Sequence, residues 1–296
     1  MKTYKDALLV SLGDMQIGST MALAPRTWNL IDGGTYTASP VQNLIRKYYE
    51  TGILAIKELR KKKRLIFILN GEPTDGVHHG TPQLISQVAG ESNEMASSII
   101  DETLRELNFD KSKGDRLYFV EGTEAHDGKQ HQNHERVARD FEDIATFYRR
   151  DQYGKDGRIL HPYLKAIING KKYRIQHHGG GVGSRAWTRE NSLQYYIKNL
   201  FMSYVQMGEE PPDWFLQAHY HRYIKATYHG VYNGERKTIH GRITPALQVA
   251  TAFVKRIAPA ELSDIGIYYQ EIDAAGNVQE HEESIYRAPE DDYERI

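Results

Sequence analysis

The sequence contains no cysteine, which excludes disulfide bonds, thiolate metal sites and a cysteine nucleophile. It also has almost no net charge, because 38 Lys and Arg residues stand against 39 Asp and Glu residues. No field of one sign is therefore available to attract nucleic acid or a membrane surface to the whole protein. No apolar run approaches the roughly 18 residues of a membrane span, and the first residues lack the apolar core of a signal peptide. We expect a cytoplasmic protein without a membrane partner.

What the sequence does have is histidine and an alternation of predicted strands and helices. With 296 residues, 40% of them hydrophobic, the chain is long enough for a large α/β domain. Many of its 13 histidines stand in pairs, so the question is whether they meet in the fold. No linker, repeat or low-complexity segment divides the chain. We predict one domain over residues 1–287 and a charged tail over 288–296.

The segment 65–76 (LIFILNGEPTDG) sets the pattern for the rest of the chain. Five of its first six residues are apolar, and a turn with glycine and proline follows, which is typical of a strand buried on both faces. Open α/β sheets place their ligands at the carboxyl ends of such strands. Glu72 and Asp75 are therefore the first candidates for chemistry, with turn capping or support of a neighbouring group as the alternative for Asp75.

Four other predicted strands end in the same way. The strand at 7–12 runs to Asp14 and Gln16, the strand at 115–121 runs to Thr123, Glu124 and His126, the hairpin over 163–168 and 172–176 runs to His177 and His178, and the strand at 213–218 runs to His219 and His221. Helices are predicted between them at 40–63, with Ser39 as N-cap, and at 82–107, 134–150 and 189–207. Five successive strand ends that deliver carboxylate or imidazole groups predict a metal site.

This order of motifs resembles the calcineurin-like metallophosphoesterase superfamily, which has D-x-H, G-D-x-x-D, G-N-H-D/E, a single H often followed by G, and G-H-x-H. The counterparts here are Asp14-Met15-Gln16, Gly71 to Asp75, Gly122 to Asp127, His178-Gly179 and Ala218 to His221. Gln16 stands where the superfamily has histidine, and Glu72 where it has a bridging aspartate. Either Thr123 or Glu124 takes the place of the asparagine. The chain looks like a divergent branch, of phage or mobile-element type as one interpretation.

The resemblance implies both a fold and a site. The implied fold is a four-layer αββα sandwich of two mixed β-sheets flanked by helices. The site would hold two divalent metal ions, and the implied ligands are Asp14, Gln16, Glu72, Glu124, His178, His219 and His221. Mixed carboxylate and imidazole ligands favour Mn, with Fe or Zn as alternatives. His126 is expected as the general acid, and Thr123 and Arg185 are expected to contact the substrate.

Three groups of basic residues have competing interpretations. Adjacent strand residues point to opposite faces, so only one of His177 and His178 should reach the metals, and the match to the superfamily favours His178. Four other histidines are expected at the rim of the site, namely His78, His79, His131 and His134. The basic run at 57–64 (KELRKKKR) is interpreted as a solvated helix end rather than a nucleic-acid surface.

The function that the resemblance implies is metal-dependent hydrolysis of a phosphate ester. A phosphodiester is favoured, with nucleic acid as one candidate substrate, because residues 14–19 resemble the D-x-H-x-G-S motif of a branch that includes DNA-repair nucleases. The alternatives are a phosphomonoesterase or protein phosphatase, and a non-catalytic scaffold with a degenerate metal site. The presence of His126, His178, His219 and His221 favours an enzyme, because a decayed site should have lost several of them.

Overall fold

The computed structural model describes residues 5–76, 83–150, 157–182, 188–251, 263–282 and 285–286. In chain order the strands are β1 (Ala7–Leu12), β2 (Thr27–Asn29), β3 (Thr35–Thr37), β4 (Arg64–Asn70), β5 (Arg116–Val120), β6 (Arg149–Arg150), β7 (Gly157–Arg158), β8 (Leu160–His161), β9 (Leu164–Ile168), β10 (Lys171–Ile175), β11 (Trp214–Gln217), β12 (Ile224–Tyr232), β13 (Glu235–Ile243), β14 (Tyr268–Ile272) and β15 (Val278–His281). The α-helices are α1 (Pro40–Arg60), α2 (Ala89–Glu106), α3 (Glu124–Asp127), α4 (Gln132–Arg139) and α5 (Arg189–Gln206). Arg185, His78, His79 and the predicted tail at 288–296 lie outside the described residues.

Two large mixed sheets form the centre of the protein. The first has the order β15-β14-β1-β4-β5-β8, in which β1, β4, β5 and β8 run parallel and β14 and β15 pair antiparallel at one side. The second has the order β12-β13-β11-β10-β9, in which β10, β11 and β13 run parallel between antiparallel outer strands. Parallel strands bring their carboxyl ends to one edge of a sheet, which is where the predicted ligands follow β1, β4, β10 and β11.

Three separate hydrophobic clusters show that these sheets belong to four layers. Alternate residues of β4 point to opposite faces: Phe67 packs in the cluster that includes α1 and α2, whereas Ile66 packs between the two sheets. The intersheet cluster also contains Tyr173 and Trp214 of the second sheet. The third cluster joins α5 to the outer face of the second sheet through Phe201 and other buried residues. The predicted four-layer αββα sandwich is therefore confirmed.

Local sequence signals explain several element boundaries. At the start of α1 the Ser39 hydroxyl accepts a hydrogen bond from Gln42 N (3.4 Å), and the Gln42 side chain accepts one from Ser39 N (2.9 Å). This reciprocal cap satisfies two backbone donors of the first turn. In the β9–β10 hairpin, Asn169 and Gly170 have φ angles of 47° and 83°, which suit a two-residue turn of type I′.

Two predicted helices have different boundaries in the structure. The helix predicted at 82–107 begins only at Ala89 and continues through Gly90. The helix predicted at 134–150 is wrong beyond Arg139, where α4 ends in a series of turns. Phe141 nevertheless packs in the core. The turns therefore bury an apolar residue from which the longer helix was predicted. Within the described residues, no helix is both long enough and apolar enough to cross a membrane.

Candidate metal centre

Five ligand-type side chains from both large sheets meet at the carboxyl ends of the central strands. Asp14 follows β1 and Glu72 follows β4, whereas His177 follows β10, and His219 and His221 follow β11. The ligand atoms of Glu72, His177 and His219 lie within 4.8 Å of one another, and so do those of Asp14, Glu72 and His221. Glu72 belongs to both groups. We call these five residues the carboxylate–histidine cluster, and four of them are residues singled out from the sequence.

The backbone is strained where it carries this cluster. Five residues at the site have positive φ angles although they are not glycine: Asp14 (50°), Gln16 (44°), Glu72 (52°), His219 (76°) and His221 (52°). Such conformations cost about 1–3 kcal/mol each and persist only where the surrounding structure imposes them, often at functional sites. Cross-loop hydrogen bonds impose them here, because Gln16 N donates to Glu72 O (3.0 Å) and Leu247 N donates to Asp14 O (3.0 Å).

Two glycines allow the loops to approach so closely. Gly71 precedes Glu72, and a Cβ at this position would lie 2.1 Å from His177 Nδ1. Gly122 precedes Thr123, and a Cβ there would lie 2.6 Å from Glu72 Cγ. Both distances are far below a van der Waals contact, so any larger residue would push the loops apart. Glu72 can therefore occupy its position only because residues 71 and 122 are glycines.

Glu72 is the centre of the site. Its side chain is fully buried, and its Oε1 accepts a hydrogen bond from the Thr123 hydroxyl (2.5 Å) and lies 3.1 Å from His177 Nε2. Its Oε2 accepts a hydrogen bond from Gln16 Nε2 at 2.8 Å. Burial alone would raise the pKa of Glu72, but the charges of His177 and His126 outweigh burial and lower it well below its usual value. The carboxylate is therefore ionised and available as a ligand for a cation.

His177, rather than the predicted His178, belongs to the cluster. Its Nδ1 lies 2.7 Å from the Asn70 carbonyl oxygen, which can only accept, so Nδ1 carries a hydrogen and Nε2 is the nitrogen that faces the cluster, where a cation would take the place of its proton. This Nε2 faces Glu72 and, at 3.7 Å, Asp14 Oδ1. Burial lowers the pKa of His177, but the negative charges of Glu72 and Asp14 raise it to about 10. A backbone carbonyl that fixes the tautomer is the usual support for a metal-binding histidine.

His178 lies on the opposite side of the chain, as strand alternation requires. It is exposed, and its ring lies 4.7 Å from that of His219 and 5.9 Å from that of Tyr220. Burial and the charge of His219 lower the pKa of His178. The sequence-based choice of His178 is therefore corrected to His177, and His178 is left as a surface residue beside the cluster.

The third predicted strand end contributes Thr123 and His126 rather than Glu124. Glu124 is exposed at the start of α3, where its Oε1 accepts a hydrogen bond from Gln130 N (3.1 Å). Thr123, which precedes it, contacts Glu72 instead. The expected place of Glu124 in the ligand set is therefore corrected, because the helix that begins at Glu124 turns its side chain away from the site.

His126 is oriented by Asp75. Its Nδ1 lies 2.8 Å from Asp75 Oδ1, and its Nε2 lies 3.8 Å from Glu72 Oε2. Asp75 is buried, and its other oxygen accepts a hydrogen bond from Gln248 (3.4 Å). Burial lowers the pKa of His126, but the charge of Glu72 and the hydrogen bond to Asp75 raise it to about 9. His126 can therefore hold a proton at Nε2, next to the cluster, near neutral pH.

Four buried ligand atoms at the site have no hydrogen-bond partner in the described part of the chain. They are Asp14 Oδ1, Gln16 Oε1, His177 Nε2 and His219 Nδ1. Buried polar atoms without partners are costly, and a cation would satisfy all four types. Carboxylate and imidazole ligands are those that Mn, Fe and Zn accept. The residues present therefore fit divalent cations, with Gln16 as the weakest member because its amide nitrogen already donates to Glu72.

Sequence reasoning missed a second buried group next to the site. The carboxylate of Asp127 accepts a hydrogen bond from Gly122 N (2.9 Å) and lies 3.2 Å from His131 Nδ1 and 3.3 Å from His134 Nδ1. Burial raises the pKa of Asp127, but the charge of His134 lowers it overall. His134 is fully buried, which corrects its predicted place at the rim. The sequence did contain a signal for this group, because His131 and His134 follow Asp127 by four and seven positions, a spacing that brings side chains together on one face of a helix.

No family model matches the sequence, and no match was found among curated proteins. Among solved structures, the chain is similar to the solution NMR structure of the Thermotoga maritima protein TM1076, at 12% identity, over 93% of this chain and 97% of that chain. The TM-score between the two structures is 0.33.

Proposed function

We propose that this protein is a metal-dependent phosphoesterase, a hydrolase that binds two divalent cations and cleaves phosphodiesters. The observation that carries the proposal is the arrangement of the carboxylate–histidine cluster. Two ligand groups share the fully buried Glu72, and buried ligand atoms without hydrogen-bond partners belong to both groups. Paired cations with a shared carboxylate are typical of enzymes that cleave phosphate esters.

The ligand groups define what each cation would contact. Asp14, Glu72 and His221 would hold one cation, and Glu72, His177 and His219 would hold the other. Cations at such sites polarise a phosphate oxygen and lower the pKa of water. Mn is the proposed ion, with Fe or Zn as alternatives, because the ligands mix imidazole with carboxylate.

The protein's own groups supply proton transfer and orientation. His126, hydrogen-bonded to Asp75 through Nδ1, would donate a proton from Nε2 to the leaving oxygen of the ester. Asp75 holds the ring in this tautomer and favours its protonated form. Asp14 Oδ2 accepts a hydrogen bond from His219 N (2.8 Å), which ties the loop after β11 to the loop after β1. This hydrogen bond would hold the two ligand groups at a fixed position relative to each other.

The substrate class is inferred from the segment after β1. Residues 14–19 resemble the D-x-H-x-G-S segment of a phosphoesterase branch that includes DNA-repair nucleases, apart from Gln16. A phosphodiester, with nucleic acid as a candidate, is therefore proposed ahead of a phosphomonoester or phosphoprotein. The preference for a diester is tested by comparing the turnover of bis(p-nitrophenyl) phosphate, a diester, with that of p-nitrophenyl phosphate, a monoester. Faster turnover of the monoester would reverse it.

A second candidate, a non-catalytic module with one cation, is favoured by a single observation. The Gln16 amide donates to Glu72 Oε2 at 2.8 Å, so that oxygen already has a partner without any cation. An amide is also a weaker ligand than the imidazole expected there from the superfamily pattern. A protein that binds one ion per chain and hydrolyses neither chromogenic ester would establish this second candidate.

The neighbouring histidines His177 and His178 provide the decisive experiment. We expect purified protein loaded with Mn to hydrolyse the diester, and His177→Ala to lose most of its bound metal and its turnover. The matched control His178→Ala should keep its metal content, because His178 lies outside the cluster. Metal content by mass spectrometry and turnover by absorbance measure the two effects separately. Full metal content and activity in His177→Ala would refute the proposed ligand set.

A further inference from the structure

A basic cavity lies at the opposite end of the first sheet from the carboxylate–histidine cluster. Its volume is about 910 Å³, and of the nine described residues that line it seven are lysine or arginine. We define the basic cavity by six of these: Lys5, Arg60, Lys61, Lys62, Arg64 and Lys113. They come from the start of β1, the end of α1, the start of β4 and the loop before β5. The run KELRKKKR, interpreted from the sequence as a solvated helix end, thus folds around a concavity.

The two acidic residues of the lining do not neutralise this charge. Asp115 is buried and already accepts hydrogen bonds from Arg60 (2.5 Å), Leu65 N (2.7 Å) and Asp110 N (2.7 Å). Asp6 accepts one from Ala274 N (2.9 Å). The lining has seven cationic and two acidic side chains, and Glu271 and Asp110 beside it pair with two of the lysines, which leaves an excess of three positive charges (7 − 2 − 2). The carboxyl end of α1 contributes only about half a negative charge, so the potential in the cavity remains positive.

Three of the lysines are available for a ligand. Lys63 and Lys113 are engaged in ion pairs with Glu271 (2.6 Å) and Asp110 (2.8 Å). In the described part of the chain, no ion pair or hydrogen bond engages the side chains of Lys5, Lys61 or Lys62, all of which are exposed. These flexible ammonium groups can therefore turn toward an anion without breaking an existing contact.

Buried guanidinium atoms strengthen the potential beneath these lysines. Arg60 Nη1 and Arg64 Nε are buried and have no hydrogen-bond partner among the described residues. Arg64 is held in place through Nη2, which donates to Asn169 Oδ1 (2.7 Å). Charge that is neither hydrated nor fully paired acts over a longer range than charge in water. Arg60 is paired with Asp115, whereas Arg64 has no carboxylate partner among the described residues and is therefore a fixed positive charge beneath the exposed lysines.

We propose that the basic cavity binds a small polyanion that carries two or more phosphate groups. Its volume falls within the range of about 300–1,000 Å³ that is usual for small-molecule sites. Lysine and arginine are the residues that recognise phosphate oxygens. Among the described residues that line the cavity none is aromatic, so they provide no stacking surface of the kind with which proteins hold single-stranded nucleic acid. A compact polyphosphate fits this lining better than a nucleic-acid strand.

This site is independent of the proposed phosphoesterase activity. Glu72, in the cluster, lies eight positions after Arg64, at the cavity, and most of the residues between them belong to β4. At about 3.3 Å per residue, the two sites lie roughly 25 Å apart. A ligand in the basic cavity would not touch the cluster. Anion binding can therefore be tested whether or not the protein hydrolyses phosphate esters.

Calorimetric titration of the full chain with sodium triphosphate tests the proposal. We expect one binding site per chain in the presence of EDTA, with weaker affinity at higher salt. Lys61→Ala combined with Lys62→Ala should weaken binding at least about tenfold, because these exposed side chains would contact the phosphates. The matched control combines Lys47→Ala with Lys198→Ala, two exposed helix residues outside the cavity, and should bind like the wild type.

Several results would overturn the proposal. No binding at millimolar triphosphate would refute it, and so would equal weakening in the two double variants. Binding that requires added Mn would place the anion at the cluster instead. A single-stranded oligonucleotide that binds more tightly than triphosphate and displaces it would make the surface a nucleic-acid site. Circular dichroism of both double variants checks that the comparison is made between folded proteins.

Discussion

At the scale of single residues, the choice between His177 and His178 shows what the sequence could provide. Tyr173 and Ile175 are buried between the two sheets, and they share a strand face with His177. Strand alternation combined with the apolar positions was therefore sufficient to place His177 inside. The motif match pointed to His178, because a pattern of letters does not record which face a residue occupies. Physical periodicity was the better guide here.

His126 carries the first prediction at this scale. We expect His126→Ala to reduce kcat by about 10²- to 10⁴-fold while metal content stays the same. Asp75→Asn should shift the alkaline limb of the pH–rate profile to lower pH, because Asp75 helps to raise the pKa of His126 to about 9. His229→Ala, on the exposed hairpin, serves as the control. Loss of metal in His126→Ala would instead identify His126 as a ligand.

The second prediction at this scale concerns Gln16. Its amide oxygen is a neutral, weak ligand, so the cation held by Asp14 and His221 should bind less tightly than its neighbour. We expect Gln16→His to tighten that site about tenfold or more in a calorimetric Mn titration. Gln16→Ala, which offers no ligand at all, provides the lower reference. Two equally tight sites in the wild type would show that the glutamine is no handicap.

At the scale of elements, strands were easier to predict than the end of α4. The bounds of β1 agree with the apolar run at 7–12, because a strand buried on both faces leaves a continuous signal. The helix predicted at 134–150 failed because its apolar spacing is also satisfied by turns. After Arg139 the chain instead returns to the first sheet, where Thr146 N donates to Leu117 O (2.8 Å). That contact is distant in sequence and leaves no local trace.

The contact between β13 and β15 gives a prediction for this scale. Arg242 donates two hydrogen bonds to Glu280 (2.6 and 2.5 Å), and thereby joins the second sheet to the first. Both side chains are less than one-fifth exposed. We expect Glu280→Gln to lower the free energy of unfolding by about 2 kcal/mol, because the guanidinium loses its charged partner. Glu106→Gln, from an exposed pair with Lys57, should cost no more than about 0.5 kcal/mol.

The Arg242–Glu280 pair also makes the free energy of unfolding depend on pH. Burial raises the pKa of Glu280, but the hydrogen bond and charge of Arg242 lower it below the ordinary 4.5. A carboxylate with a lowered pKa stabilises the fold above its unfolded pKa, and this contribution disappears as the pH falls through the folded value. The difference between wild type and Glu280→Gln should therefore be full at pH 7 and shrink below about pH 4 in urea unfolding. A difference that grows with acidity would contradict this account.

At the scale of the whole molecule, the four-layer arrangement followed from the resemblance rather than from composition. Periodicity predicted the strands, yet it gave no indication of which strands share a sheet. The cluster depends on that division: Asp14 and Glu72 belong to loops of the first sheet, and the three histidines belong to loops of the second. Strand order and sheet packing are set by contacts between distant segments, which one sequence does not reveal.

Cations held between the sheets should stabilise the whole fold. At 100 times the dissociation constant, one bound ion adds about 2.7 kcal/mol, which corresponds to roughly 5 °C in Tm for a chain of this size. We expect Mn to raise Tm and EDTA to reverse the shift in the wild type and in His178→Ala. The shift should be largely absent from His177→Ala. Calorimetric scans of the three proteins measure it, and an unchanged shift in His177→Ala would exclude that residue as a ligand.

The division of the cluster between two sheets also orders events during synthesis. His221 follows Asp14 by 207 positions (221 minus 14), which is roughly 20 s of translation at about 10 residues per second. From Glu72 onward the nascent chain carries both carboxylates of the cluster, but it has all three imidazoles only once His221 has been added. Until His177 has been added, a cation would meet only the carboxylates of the cluster, which suit Mg or Ca better than Mn or Zn. Under the proposed function, the full ligand set would therefore be complete only after His221 has been added, and β12 and β13 of the second sheet are synthesised later still.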